Sequence, residues 1–157
     1  MCSIIGYSGN EIAAPIIVKG LKRMEYRGYD SVGVATESDN AIELKKGIGK
    51  VSEVNSKVEL DKLPGKIGIG HTRWATHGKV TDLNAHPHPS NSGKIAIVHN
   101  GIIENFEELK KQLEEEGYNF KSETDSEIIA NLLQKNYEDT KNVKETIMKT
   151  VSVIKGH

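Results

Sequence analysis

The only cysteine of the chain, Cys2, stands directly behind the initiator methionine in MCSIIGYSG. Once Met1 is removed, a thiol and the α-amine that can serve as its base belong to one residue. A free α-amine titrates at roughly 7.7–8.0 and a thiol near about 8.5, so close to neutral pH the amine can take the thiol proton without a histidine partner. N-terminal threonine nucleophiles work by the same logic. An incidental small residue is the alternative for any lone cysteine, and what accompanies it decides. HTRWATHG (71–78) gathers Arg73, Trp74, Thr76 and His77 in one stretch. A guanidinium fork suits a carboxylate, and Thr76 or backbone N–H groups can add hydrogen bonds; a surface loop around a buried Trp is the alternative. In HNG (99–101), the Asn100 amide and the Gly101 N–H can both point at a developing oxyanion, or form a simple Asn-Gly turn. In SETDSE (122–127), Asp125 can receive a substrate ammonium, or cap a helix. Together with Cys2 these groups supply nucleophile, base, oxyanion donors and a holder for each end of an amino acid. That is the set needed for acyl transfer from an amino-acid side chain.

Such groups need rigid elements to place them. SIIGY (3–7) reads as a short buried strand, followed by a helical period through Ile12, Ile16, Ile17, Leu21 and Met24 with Pro15 in the first turn. SVGVAT (31–36) and AIELKKG (41–47) fit a hairpin around a Glu-Ser-Asp-Asn turn, and 49–63 leaves room for one short helix. KIGIGHTRWATHG (66–78) and KIAIVHNG (94–101) each read as a buried strand that dissolves into a polar cluster. Two such loops on a sheet are expected to converge on one site. Asn105, with Glu108 three residues on, predicts a capped helix carrying Phe106, Leu109 and Leu113 and stopped by Gly117. A second helix is expected from Thr124 or Asp125 with Ile128, Ile129, Leu132 and Leu133 on one face, and a third over 142–154. Strand, helix, several strands and then helices indicate an α+β chain with no internal domain boundary.

The 157 residues, 36% hydrophobic and 27% charged with a net charge of −1, describe one ordinary globular domain. A charge near zero creates no field for nucleic acid, a lone cysteine makes no internal disulfide, and neither a membrane span nor a signal segment is visible. The expected setting is a reducing cytoplasm, with no nucleic acid or membrane as partner. His71, His77, His86, His88 and His99 raise the alternative of a metal protein. His-Pro-His spacing is poor for two ligands on one strand face, and no Cys or carboxylate lies close in sequence to complete a shell, so no metal and no cofactor are expected.

EYRGYDSVG (25–33), HTRWATHG (71–78), NAHPH (84–88), VHNGIIENFEELK (98–110) and SETDSE (122–127) closely resemble, in order and spacing, the glutaminase domain of the glutamine–fructose-6-phosphate aminotransferases. The resemblance covers essentially the whole chain. It implies the four-layer αββα sandwich of the N-terminal-nucleophile (Ntn) hydrolases and hydrolysis of glutamine to glutamate and ammonia. By it, Cys2 matches the nucleophile, Asn100 with Gly101 the oxyanion hole, Arg73 the binder of the α-carboxylate helped by Thr76 and His77, and Asp125 the partner of the α-ammonium. Arg27 matches a residue that orders the N-terminus, and Trp74 one that gates the ammonia path. Ser3 departs from the family, which has glycine there, and puts a side chain beside the nucleophile that either crowds the site or is tolerated. The chain, 1–157, is expected to be a glutaminase domain that is C-terminally incomplete, with the sugar-isomerase half, as domain or partner chain, outside it. A homodimer is compatible with this, and the alternative function is a catalytically impaired glutamine-binding fragment or regulatory remnant.

Overall fold

A computed structural model describes residues 2–75 and 79–156. Strand β1 (Ser3–Ser8) leads into helix α1 (Ala13–Met24), and the hairpin β2 (Ser31–Ser38) and β3 (Ala41–Ile48) follows. Its turn is only Asp39-Asn40, at φ 53° and 62°, the left-handed pair that a tight two-residue hairpin requires. The stretch after it folds into α2 (Val51–Val58) and a 3₁₀ turn at Leu60–Lys62, and β4 (Ile67–Arg73) completes an antiparallel sheet in the order β1-β4-β2-β3.

Alternation along the strands gives this sheet two distinct faces. Val32 and Val34 turn towards α1 and join Ile17, Leu21, Val51, Val54, Leu60 and Leu63 in an apolar core. Glycines of β4 let the helix approach: a Cβ on Gly70 would sit 2.4 Å from Ile17 Cγ2. The apolar face of α1 is narrower than its period suggests, since Ile12 and Ile16 are exposed while Ile17 and Leu21 are fully buried. On the opposite face Gly33 stands between Lys46 and His71 in register. A chain segment crosses it so closely that a Gly33 Cβ would lie 2.2 Å from the His86 carbonyl oxygen.

That segment carries the second sheet, β5 (His88–Pro89) paired with β6 (Ala96–Ile97). KIAIVHNG is therefore strand for two residues rather than most of its length. Its partner lies among Pro87 and Pro89, which have no N–H to extend a ladder. Beyond lie α3 (Phe106–Glu115), α4 (Glu127–Thr140) and α5 (Val143–Val153), whose core is Ile103, Leu109, Leu113, Ile128 and Leu132. The layers thus run helix, sheet, sheet, helix. Gly117, at φ 91°, ends α3 as expected. Asn105 precedes that helix but does not cap it: its Nδ2 donates to Val153 O at 3.0 Å and its Oδ1 accepts from Lys155 N at 2.8 Å, tying down the end of α5. α4 starts at Glu127, later than expected, because the residues before it are bound elsewhere. Glu127 accepts from the N–H groups of Lys121 and Ser122, and Asp125 accepts from Ile103 N at 2.7 Å rather than capping.

Candidate active site

A cavity of about 490 Å³ opens where β1, β4 and the 99–103 and 123–126 loops meet, a size suited to a small molecule. Cys2, Arg27, Arg73, Trp74, Asn100, Gly101 and Asp125 all line it. The sequence-predicted residues that the structure describes therefore converge. Thr76 and His77, like Met1, lie outside the described residues.

β1 holds Cys2 at the rim through the pairing of Ser3 with Thr72. The thiol is half-buried: Sγ accepts from Trp74 N at 3.2 Å and faces the Trp74 carbonyl at 3.6 Å. Ser3 does not crowd it. Its side chain is buried on the α1 side of β1 with Oγ 3.5 Å from Met24 O, and it takes no part in lining the cavity.

β4 delivers Arg73, which is buried and donates from Nη1 to Lys79 O at 3.1 Å. Asp30 bolts the end of this strand, donating from N to Arg73 O at 3.0 Å and accepting at Oδ2 from Ala75 N at 2.7 Å. Trp74 packs edge-on against Tyr29, with ring centroids 5.4 Å apart. From the other loop, Asn100 directs Nδ2 towards Cys2 O at 3.4 Å while its Oδ1 lies 2.8 Å from His71 Nε2. Asp125 also lines the cavity, with Oδ1 3.2 Å from Ser126 Oγ, which in turn meets His99 Nδ1 at 3.0 Å. A guanidinium and a carboxylate lining one cavity suit the two charged ends of an amino acid.

Beneath the cavity is a buried polar layer. The His71 and His86 rings stack at 4.3 Å, His86 meets His88 edge-on at 4.4 Å, and His88 Nε2 reaches Thr124 Oγ1 at 3.0 Å. Burial is the main cause that lowers the pKa of His71 to about 4, with the Arg73 charge adding to it and the Asn100 hydrogen bond opposing. Burial and the Lys46 charge bring His88 to about 3, and burial with the neighbouring histidines lowers His86 as well. All are neutral at pH 7. Lys46 donates to the carbonyls of Leu83, Ala85 and Pro87, the shortest contact being 2.6 Å. Desolvation lowers it to about 8 against the attraction of Glu127 and Asp82. Among the described residues no group of His, Cys, Asp and Glu is placed to hold a metal ion.

Residues 60–146 match the family described as the glutamine amidotransferase domain. The chain belongs to that family. It is 53% identical over 156 residues to the glutamine–fructose-6-phosphate aminotransferase (isomerizing) of Pyrococcus horikoshii, covering 99% of this chain and 26% of that protein. The protein of the same name from Aquifex aeolicus is 51% identical, again over 99% of this chain and 26% of its own length. The chain thus spans about a quarter of the length of these relatives. Among solved structures, the glutamine phosphoribosylpyrophosphate amidotransferase of B. subtilis superposes with a TM-score of 0.82 at 32% identity, over 99% of this chain and 33% of that one. The fold is the α+β arrangement of the Ntn-type amidotransferases.

Sequence reasoning missed the supports rather than the lining. Asp30 sits inside the EYRGYDSVG stretch with no role assigned, and Lys46 reads in AIELKKG as one more charge on a strand surface. His71, His86 and His88 had individual roles only in the metal alternative, because their neutral stack depends on contacts between distant segments. Among the described residues no helix is long and apolar enough to cross a membrane.

Proposed function

We propose that this chain, as a glutaminase domain, hydrolyses glutamine to glutamate and ammonia with Cys2 as nucleophile. The observation that carries this is the placement of Cys2 Sγ, under the Trp74 N–H, at the wall of a cavity shared with Asn100, Gly101, Arg73 and Asp125. After Met1 removal the freed α-amine takes the thiol proton and sulfur attacks the δ-carbonyl carbon. The Asn100 Nδ2–H and the Gly101 N–H receive the oxyanion. Collapse breaks the C–N bond, the α-ammonium returns its proton to the leaving nitrogen, and ammonia departs. Water then cleaves the thioester to give glutamate and restore the thiol. Arg73, with Thr76 and His77, takes the α-carboxylate and Asp125 the α-ammonium; Arg27 steadies the N-terminus and Trp74 covers the exit. From the names of its relatives, the ammonia is destined for fructose 6-phosphate on a sugar-isomerase region or chain.

The test is release of glutamate and ammonia in equal amounts by the purified protein. Cys2→Ala is expected to lower the rate by at least about 10³-fold while leaving the unfolding midpoint unchanged. Wild-type turnover in Cys2→Ala, or no glutamate from the wild type, contradicts the proposal.

A further inference from the structure

The Asn100 amide has two ends, and only one can stabilise an oxyanion. With Nδ2 towards Cys2 it donates; turned over, it would present Oδ1 and repel the developing charge. The backbone of a loop does not decide between these two orientations. A buried ring behind the amide does. His71, 1% exposed, places Nε2 2.8 Å from Asn100 Oδ1, whereas among the described residues its Nδ1 has no partner in hydrogen-bond geometry.

A neutral imidazole carries one N–H. On Nε2 that proton satisfies Oδ1 and leaves only a lone pair unmatched at Nδ1. On Nδ1 it would be a buried donor with no acceptor in hydrogen-bond geometry among the described residues, and the Nε2 lone pair would face that of Oδ1, a costly arrangement in a buried site. The ring cannot turn away from this task easily. It is stacked on His86 at an interplanar angle of 19° and sits on β4 opposite Gly33, where the 86–87 segment closes over the sheet.

We propose that His71 is a positioning residue for the reaction: its Nε2–H holds Asn100 Oδ1 and so keeps Nδ2 aimed at the oxyanion formed on Cys2. This role rests on the glutaminase reading, but the hydrogen bond beneath it does not. The two are therefore separable by experiment.

The ¹⁵N NMR signals of histidine-labelled protein report the tautomer directly, with His71 assigned by their change in His71→Gln. The expected state is Nε2-protonated with a bare Nδ1; an Nδ1-protonated His71 overturns the proposal whether or not glutamine is hydrolysed. In kinetics, His71→Phe is expected to lower kcat by about 10²-fold with KM for glutamine little changed, the scale of a lost oxyanion donor. His71→Gln, which keeps a donor, recovers part of the loss. The decisive arm is the cycle with Asn100→Ala. If His71 acts through Asn100, the double variant is no slower than Asn100→Ala alone; losses that multiply indicate a general structural role and overturn the proposal. Should His71→Phe fail to fold, the tautomer and His71→Gln in both backgrounds still decide it. Failure of the wild type to hydrolyse glutamine refutes the glutaminase reading and with it the positioning role, while the NMR result still stands for the hydrogen bond.

Discussion

The two faces of the four-stranded sheet are built from opposite materials. Against α1, Val32 and Val34 meet Ile17 and Leu21 in a dry apolar layer. On the other face of the same sheet, His71 and Arg73 of β4 and Lys46 of β3 point into a layer of stacked imidazoles and lysine-bound carbonyls. Apolar burial is non-directional and tolerates small shifts. A buried donor must find its acceptor within a few tenths of an ångström or cost the full desolvation of the group. Alternation along β4 therefore places stability and chemistry back to back, separated by the thickness of one strand.

Each face can be broken separately. The largest effect on stability is expected from Leu21→Ala, which removes a fully buried side chain of the apolar layer. It should cost about 2–5 kcal/mol in denaturant unfolding, with kcat per folded molecule unchanged. A fall in kcat without loss of stability would mean that the faces are not independent.

Acid should attack the polar face. His71 and His88 are lowered to about 4 and about 3, whereas in the unfolded chain a histidine binds its proton near about 6.5. Between these values the unfolded state holds more protons, so stability falls as pH drops from about 7 towards about 4. His71 alone accounts for about 3 kcal/mol of this at about 1.4 kcal/mol per pKa unit. Denaturant midpoints at pH 7 and pH 4.5 check the sign, and a midpoint that rises in acid would contradict it.

A smaller effect on stability, but a larger one on the site, is expected from Gly33→Ala. The new methyl would meet the His86 carbonyl at 2.2 Å, which the backbone there must move to relieve. The expected cost is about 1–3 kcal/mol with a disproportionate loss of kcat, because the His86–His71–Asn100 contacts move with the segment. Unaltered kcat in this variant would show that the polar layer does not position the cavity.

The same division explains what the sequence made legible. β1, α1, the β2–β3 hairpin and the Gly117 stop follow from periods and turn residues acting within a few positions. The cavity lining was also legible, because Cys2, Arg73, Asn100 and Asp125 carry their chemistry in their side chains. What escaped was non-local. Asn105 has the spacing of a cap yet bonds to Val153 and Lys155. KIAIVHNG has a strand pattern, but its partner segment is broken by prolines. For Ser3, crowding and tolerance were both open from the sequence, and strand alternation turns its side chain towards Met24. Lys46 reaches carbonyls some forty positions away in the chain, a span that no short-range pattern records.

The central claim is that Cys2, freed of Met1, is the nucleophile. Its most direct test is intact-mass and peptide mass spectrometry after treatment with 6-diazo-5-oxo-norleucine, a glutamine-shaped electrophile that loses N₂ as sulfur bonds to the diazo carbon. The expected result is a chain lacking Met1 with a single adduct on Cys2, prevented by excess glutamine. Retained Met1 with no adduct, or an adduct elsewhere while Cys2 stays free, would contradict the account.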